Sequence, residues 1–123
     1  MSRSQPRVLV VDDEGNIVEV IQTFLENEGY IVMTAESGAE AMAKIEERLP
    51  QIVLLDIRMP DMDGFEVISR AKKLQPDIAV LVMTGFGTVE TAIQALRQGV
   101  DGLLLKPFEQ GSELVDAVKQ ALL

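Results

Sequence analysis

Two kinds of segment alternate along the chain. Short apolar runs stand at Val8 to Val11, Ile52 to Leu55, Ile78 to Met83 and Leu103 to Leu105, with a weaker run at Tyr30 to Ala35. In the first four, apolar residues occupy successive positions rather than every second one. Strands of that kind need cover on both faces, as in a parallel sheet between helix layers. The intervening stretches carry a three- and four-residue apolar rhythm. Ile17, Val20, Ile21, Phe24 and Leu25 predict a first helix, with Gly29 placed to end it. Ser37 and Glu40 have capping-box spacing, and Met42, Ile45 and Leu49 form a stripe that Pro50 stops. Phe65, Ile68, Ala71 and Leu74 predict a third helix, ending before Pro76. Thr88 is placed to cap a fourth, which carries Ala92, Ile93 and Leu96 and ends at Gly99. Ser112 is placed to cap a fifth, with Leu114, Val115, Val118 and Leu122.

This is a strand followed by a helix, repeated to the end of the chain. Such alternation predicts an α/β fold: an open parallel sheet with helices on both faces and right-handed crossovers. Ligands of these sheets sit beyond the carboxyl ends of the strands. The residues at those ends are therefore the candidates. Asp12, Asp13 and Glu14 follow the first strand, Asp56 ends the third, Thr84 ends the fourth, and Lys106 follows the fifth. In a parallel sheet these ends point the same way, so the residues are expected to converge in one shallow pocket.

Composition narrows the chemistry. The 123 residues are 47% hydrophobic and 25% charged, which is ordinary for one globular domain. Histidine and cysteine are both absent, which removes imidazole bases, thiol nucleophiles, disulfides and zinc sites built from those ligands. The net charge of −9 repels phosphate backbones, so no direct binding of nucleic acid by this domain is expected. Ile78 to Val89 is the longest uncharged stretch, well short of the roughly 20 apolar residues of a membrane helix. Residues 1–7 lack the apolar core of a signal peptide. A cytoplasmic location without membrane contact is the expectation.

Taken singly, an aspartate at a strand end is an ordinary solvated turn residue, Thr84 a cap, and Lys106 a loop lysine. Together they are a site. Packed carboxylates repel, and a hard cation relieves that repulsion. With only oxygen ligands on offer, the natural cation is Mg2+. Asp56, at the mouth of the apolar run Ile52-Val53-Leu54-Leu55, is placed to act as a nucleophile on phosphorus. Lys106 and the metal would neutralise the phosphoryl oxygens, and Thr84 would donate a hydroxyl. No phosphate-binding glycine loop occurs; Gly85-Phe86-Gly87 lacks the remaining spacing. Met59-Pro60-Asp61-Met62-Asp63-Gly64 is a turn-rich loop whose aspartates tempt a calcium reading, but the EF-hand pattern is absent.

These motifs resemble the receiver domain of two-component response regulators, of the chemotaxis-regulator type. The matching segments are Val10 to Glu14, Leu55 to Gly64, Val82 to Gly85 and Lys106-Pro107-Phe108. The likeness runs from about Arg7 to Leu122 and makes residues 1–123 a single receiver domain. It implies a flavodoxin-like sheet of order 2-1-3-4-5 with five helices. It also implies that Asp56 is the phosphoacceptor, Thr84 the switch hydroxyl and Lys106 the phosphate contact. Asp12, Asp13, Asp56 and the backbone carbonyl of Arg58 would be the magnesium ligands, and Lys106–Pro107 a cis peptide. The implied partner is a sensor histidine kinase or a histidine phosphotransfer protein, whose phosphohistidine this chain lacks. An output domain or protein, and a homodimer formed on phosphorylation, are further implied partners. The domain would catalyse only its own phosphorylation and dephosphorylation, and signal through the face of helix four, strand five and helix five. Arg58 and Phe86 flank the site and are placed to tune the lifetime of the phosphoryl group.

One position departs from the family pattern. Leu103 stands where the family usually has a tyrosine or phenylalanine that turns inward on activation. Phosphorylation does not need that residue; the departure bears on the switch read-out, for which Phe86, two places after Thr84, is another candidate group. Three other readings are weaker. A degenerate receiver that only docks partners is opposed by intact site residues. A small aspartyl phosphatase would need a D-x-D nucleophile after the first strand, where Asp12 and Asp13 are adjacent. A flavin protein would need ring-stacking residues, and the chain has no tryptophan and one tyrosine.

Overall fold

The computed structural model describes residues 5–58, 61, 63–85, 89–106 and 111–123, with the backbone alone at 89. The expectations for Thr88, Phe86 and the Lys106–Pro107 bond fall outside those residues. Strands and helices alternate as β1 (Arg7–Val11), α1 (Gly15–Asn27), β2 (Ile31–Ala35), α2 (Gly38–Arg48), β3 (Ile52–Asp56), α3 (Gly64–Leu74), β4 (Ala79–Thr84), α4 (Val89–Arg97), β5 (Gly102–Leu105) and α5 (Gly111–Ala121). All strand pairs are parallel and the sheet order is β2-β1-β3-β4-β5.

Successive apolar residues are explained by two cores, one on each face. Leu9, Val11, Val53, Leu55, Val80 and Val82 meet Ala41 and Ile45 of α2, Val67, Ile68 and Ala71 of α3, and Ala95 of α4. The alternate residues Val8, Val10, Ile52, Leu54 and Leu81 meet Val18, Ile21 and Leu25 of α1 and Leu114 and Val118 of α5. Side chains alternate across a strand, so each central strand supplies both cores. The edge strands differ: Ile31 of β2 and Leu105 of β5 are exposed.

The helix ends show their causes. Ser37 Oγ accepts the Glu40 N–H at 3.1 Å, but Glu40 Oε2 accepts from the Glu36 N–H at 3.3 Å instead of closing the box on Ser37. Asp63 caps α3 by accepting the Phe65 N–H at 3.0 Å. Gly29, at φ 92°, follows α1 as expected. Leu49 ends α2 in the left-handed region at φ 47°, the conformation in which many helices terminate, and its N–H still reaches the Ile45 carbonyl.

Two further expectations need correction. Ser112 lies inside α5, which already includes Gly111, so it is not the residue before the helix. The α4 stripe does not enter the core either. Among the described side chains of α4, Ala95 is the buried one, while Ile93 and Leu96 are 45% and 71% exposed. The helix runs between β4 and the edge strand β5 in the chain, and its small residue Ala95 does the packing.

Candidate functional site

Register carries the site residues to one place. Val11 pairs with Leu55, Asp56 with Met83, and Thr84 with Leu105, so β1, β3, β4 and β5 end nearly level. The Asp12 N–H donates to the Ala35 carbonyl at 3.1 Å, and the Lys106 N–H to the Thr84 carbonyl at 2.9 Å. Both residues are thereby fixed by backbone bonds one step past their strands.

Asp12, Asp56 and Thr84 are the buried polar residues among those described. Asp56 Oδ1 accepts the Arg58 N–H at 2.9 Å, and Oδ2 accepts from Lys106 Nζ at 2.8 Å. Asp12 Oδ1 accepts the Glu14 N–H at 2.9 Å. Asp12 Oδ2 is buried with no well-formed hydrogen bond, and its partner there is the Lys106 charge. Lys106 Nζ is also 3.8 Å from Glu14 Oε1. Oxygens of Asp12, Asp13, Glu14 and Asp56 all lie within 4.8 Å of one another.

One ammonium among four carboxylates leaves the cluster strongly negative. Two like charges about 4 Å apart repel by roughly 4 kcal/mol at an effective dielectric of about 20. Burial is the main cause that raises the Asp12 pKa, the nearby Asp56 charge adds to it, and Lys106 and the Glu14 amide oppose it. For Lys106 burial is the largest single influence and works downward. Its bonds and charges with Asp12 and Asp56 together outweigh it, and the lysine pKa is raised. An all-oxygen donor set with surplus negative charge suits a hard divalent cation.

The structure thus brings together Asp12, Asp13, Asp56 and Lys106. Thr84 ends β4 beside them, and the Arg58 N–H lies on Asp56 while its side chain is exposed. Glu14 joins the acidic group as well, beyond the ligand set that the family resemblance implies; the run Asp12-Asp13-Glu14 is the sequence signal for it. The loop aspartates do not join. Asp63 caps α3, and Asp61 bonds to the start of α2. Leu103 is half-buried and packs on the core shared by α2 and α3.

Residues 8–119 match the response regulator receiver domain family. The chain belongs to that family. This receiver domain is 40% identical over 109 residues to the transcriptional regulatory protein ZraR of Klebsiella oxytoca, covering 89% of this chain and 25% of that one. It is 35% identical over 122 residues to GlrR of Escherichia coli, covering 99% and 27%. It therefore spans about a quarter of the length of these curated relatives. A CheY-like receiver domain of Methanospirillum hungatei superposes with a TM-score of 0.92 at 35% identity, covering 97% of this chain and 94% of that one. The beryllofluoride-activated NtrC4 receiver domain dimer superposes with a TM-score of 0.88 at 41% identity, covering 94% and 95%. Receiver domains are signalling switches rather than classical enzymes, bind Mg2+ at an acidic pocket, and interact with histidine kinases. No helix among the described residues is long and apolar enough to cross a membrane.

Proposed function

We propose that this receiver domain is a switch thrown by phosphorylation of Asp56. The observation that carries the reading is Asp56 itself, buried at the end of β3, bonded to Lys106 and set against an acidic cluster. A carboxylate oxygen of Asp56 attacks the phosphorus of a phosphohistidine on a sensor kinase or a histidine phosphotransfer protein. The P–N bond breaks, an acyl phosphate forms, and the imidazole leaves with a proton. Hydrolysis resets the switch: water attacks phosphorus, the P–O bond to Asp56 breaks, and inorganic phosphate leaves.

Magnesium, when bound, neutralises charge on the phosphoryl oxygens; Asp12, Asp13, Asp56 and the Arg58 carbonyl would hold it, and Glu14 is near enough to assist. Lys106 exchanges its contact with the free carboxylate for one with a phosphoryl oxygen, and Thr84 donates its hydroxyl to another. The charge added at Asp56 is local, and its effect is a bias between two arrangements of the face formed by α4, β5 and α5. Ile93, Leu96 and Leu105 lie exposed on α4 and β5, which supports this face as the output surface. A homodimer through that face on phosphorylation is in keeping with the dimeric state of activated NtrC4. ZraR and GlrR are transcriptional regulatory proteins, so an output that reaches nucleic acid would reside outside this acidic domain.

Incubation with acetyl phosphate and Mg2+, followed by intact mass measurement, tests the reading. One added phosphoryl group, lost without Mg2+ and lost in Asp56→Asn, supports it. Undiminished uptake by Asp56→Asn overturns it.

A further inference from the structure

Asp61 follows Arg58 by three positions in the β3–α3 loop, yet its carboxylate is bonded to α2. Oδ1 accepts the Gly38 N–H at 3.0 Å and Oδ2 the Ala39 N–H at 3.1 Å. These are the first two amides of that helix, which have no carbonyl partner within it. Ser37 Oγ takes the Glu40 N–H, so a local cap and a distant one share the same helix end. The positive end of the helix dipole attracts the carboxylate further. The bonds from Gly38 and Ala39 hold the Asp61 pKa below its ordinary value.

The base of the same loop is closed by backbone. Arg58 pairs with Asp63 in an antiparallel bridge, and the Gly64 N–H donates to the Ile57 carbonyl at 3.1 Å. The Arg58 N–H lies on Asp56. Arg58 and Asp63 are thus held together beside the phosphoacceptor, and Asp61, between them in the chain, is bonded to a separate helix.

We propose that Asp61 is a positioning residue for metal binding: by tying the loop to α2 it holds the Arg58 carbonyl in place for the cation. The proposal rests on the reading that Arg58 and the acidic cluster bind Mg2+. A carbonyl on a free loop must be ordered when the cation arrives, and that ordering weakens binding. The tether meets this cost at folding. Coupling is reciprocal, so the bound cation must in turn tighten the Asp61 bonds to α2.

Calorimetric titration with Mg2+ of the wild type, Asp61→Asn, Ser37→Ala and Glu36→Gln tests this, together with amide exchange at Gly38 and Ala39. Asp61→Asn is expected to weaken Mg2+ binding by about tenfold, the low end of what an outer-shell partner contributes. Ser37→Ala, which strips the local cap from α2, should lower the melting temperature and leave the affinity unchanged. Glu36→Gln removes an exposed carboxylate near the same helix end, and its effect should stay within about twofold because exposed charges are screened. Saturating Mg2+ should slow exchange at Gly38 and Ala39 in the wild type. Wild-type affinity in Asp61→Asn overturns the proposal. So does an equal loss in Ser37→Ala, which would make it general weakening of α2, or in Glu36→Gln, which would make it charge alone. A wild type that binds no Mg2+ sinks the metal reading itself, and the proposal with it.

Discussion

Lys106 Nζ bonds to Asp56 Oδ2 at 2.8 Å and at the same time faces the buried Asp12 carboxylate. One ammonium is therefore the counter-ion for two carboxylates, one just past β1 and one ending β3. It is also the group best placed to follow charge as it appears on Asp56.

Lys106→Met leaves Asp12 buried without its partner. Loss of one member of a buried ion pair costs about 3–5 kcal/mol when the other stays charged. Asp12 escapes part of that by taking up a proton, so the low end, about 3 kcal/mol, is expected at neutral pH. Urea unfolding measures it. The variant should also take up phosphate from acetyl phosphate far more slowly than the wild type.

Asp13 is exposed and contributes charge to a cluster already short of cations. Asp13→Asn should therefore raise the melting temperature in metal-free buffer, and abolish the further rise that Mg2+ gives the wild type. Thermal scans with and without Mg2+ check both. A drop in metal-free stability would contradict the repulsion argument.

Gly64 opens α3 against the backbone of the residue after Asp56. A Cβ there would stand 2.6 Å from Ile57 Cα and 2.8 Å from its carbonyl oxygen. Backbone cannot swing aside as a side chain can, so Gly64→Ala must move the loop. A cost of about 2–3 kcal/mol is expected, at the upper end of overpacking, with slower phosphorylation of Asp56. Denaturant midpoints and phosphate uptake measure the two effects.

Asp61 gives a pH dependence with a definite sign. Its folded pKa lies below 3.8, so its contribution to stability is fully present above that value and lost as pH falls through the folded pKa. The melting temperature of the wild type minus that of Asp61→Asn should be constant near neutrality and shrink in acid below about pH 4. A difference that grows on acidification would contradict the bonding to α2.

Much of this protein is legible in one dimension. Local periodicity determined that strands and helices alternate, and unbroken runs such as Ile52 to Leu55 determined that both sheet faces are covered. Parallel strands then required Asp12, Asp56, Thr84 and Lys106 to lie at one edge, because all carboxyl ends of such a sheet face the same way. Strand order was legible only through resemblance, since periodicity says nothing of which strands are neighbours.

Tertiary structure decided what depends on position relative to the sheet. Ile93 and Leu96 have core-like spacing, yet they face solvent because α4 turns Ala95, not them, toward the core. Glu14 joins the acidic group because the chain turns into α1 directly after Asp12, whose Oδ1 takes the Glu14 amide. Asp61 and Asp63 look alike in sequence and part company in space. One bonds to its own helix, α3, and the other to α2, 22 positions away from Ala39. A side chain's partner is set by which backbone groups the fold leaves unpaired beside it, and helix ends brought near by packing are not written in the spacing of any one segment.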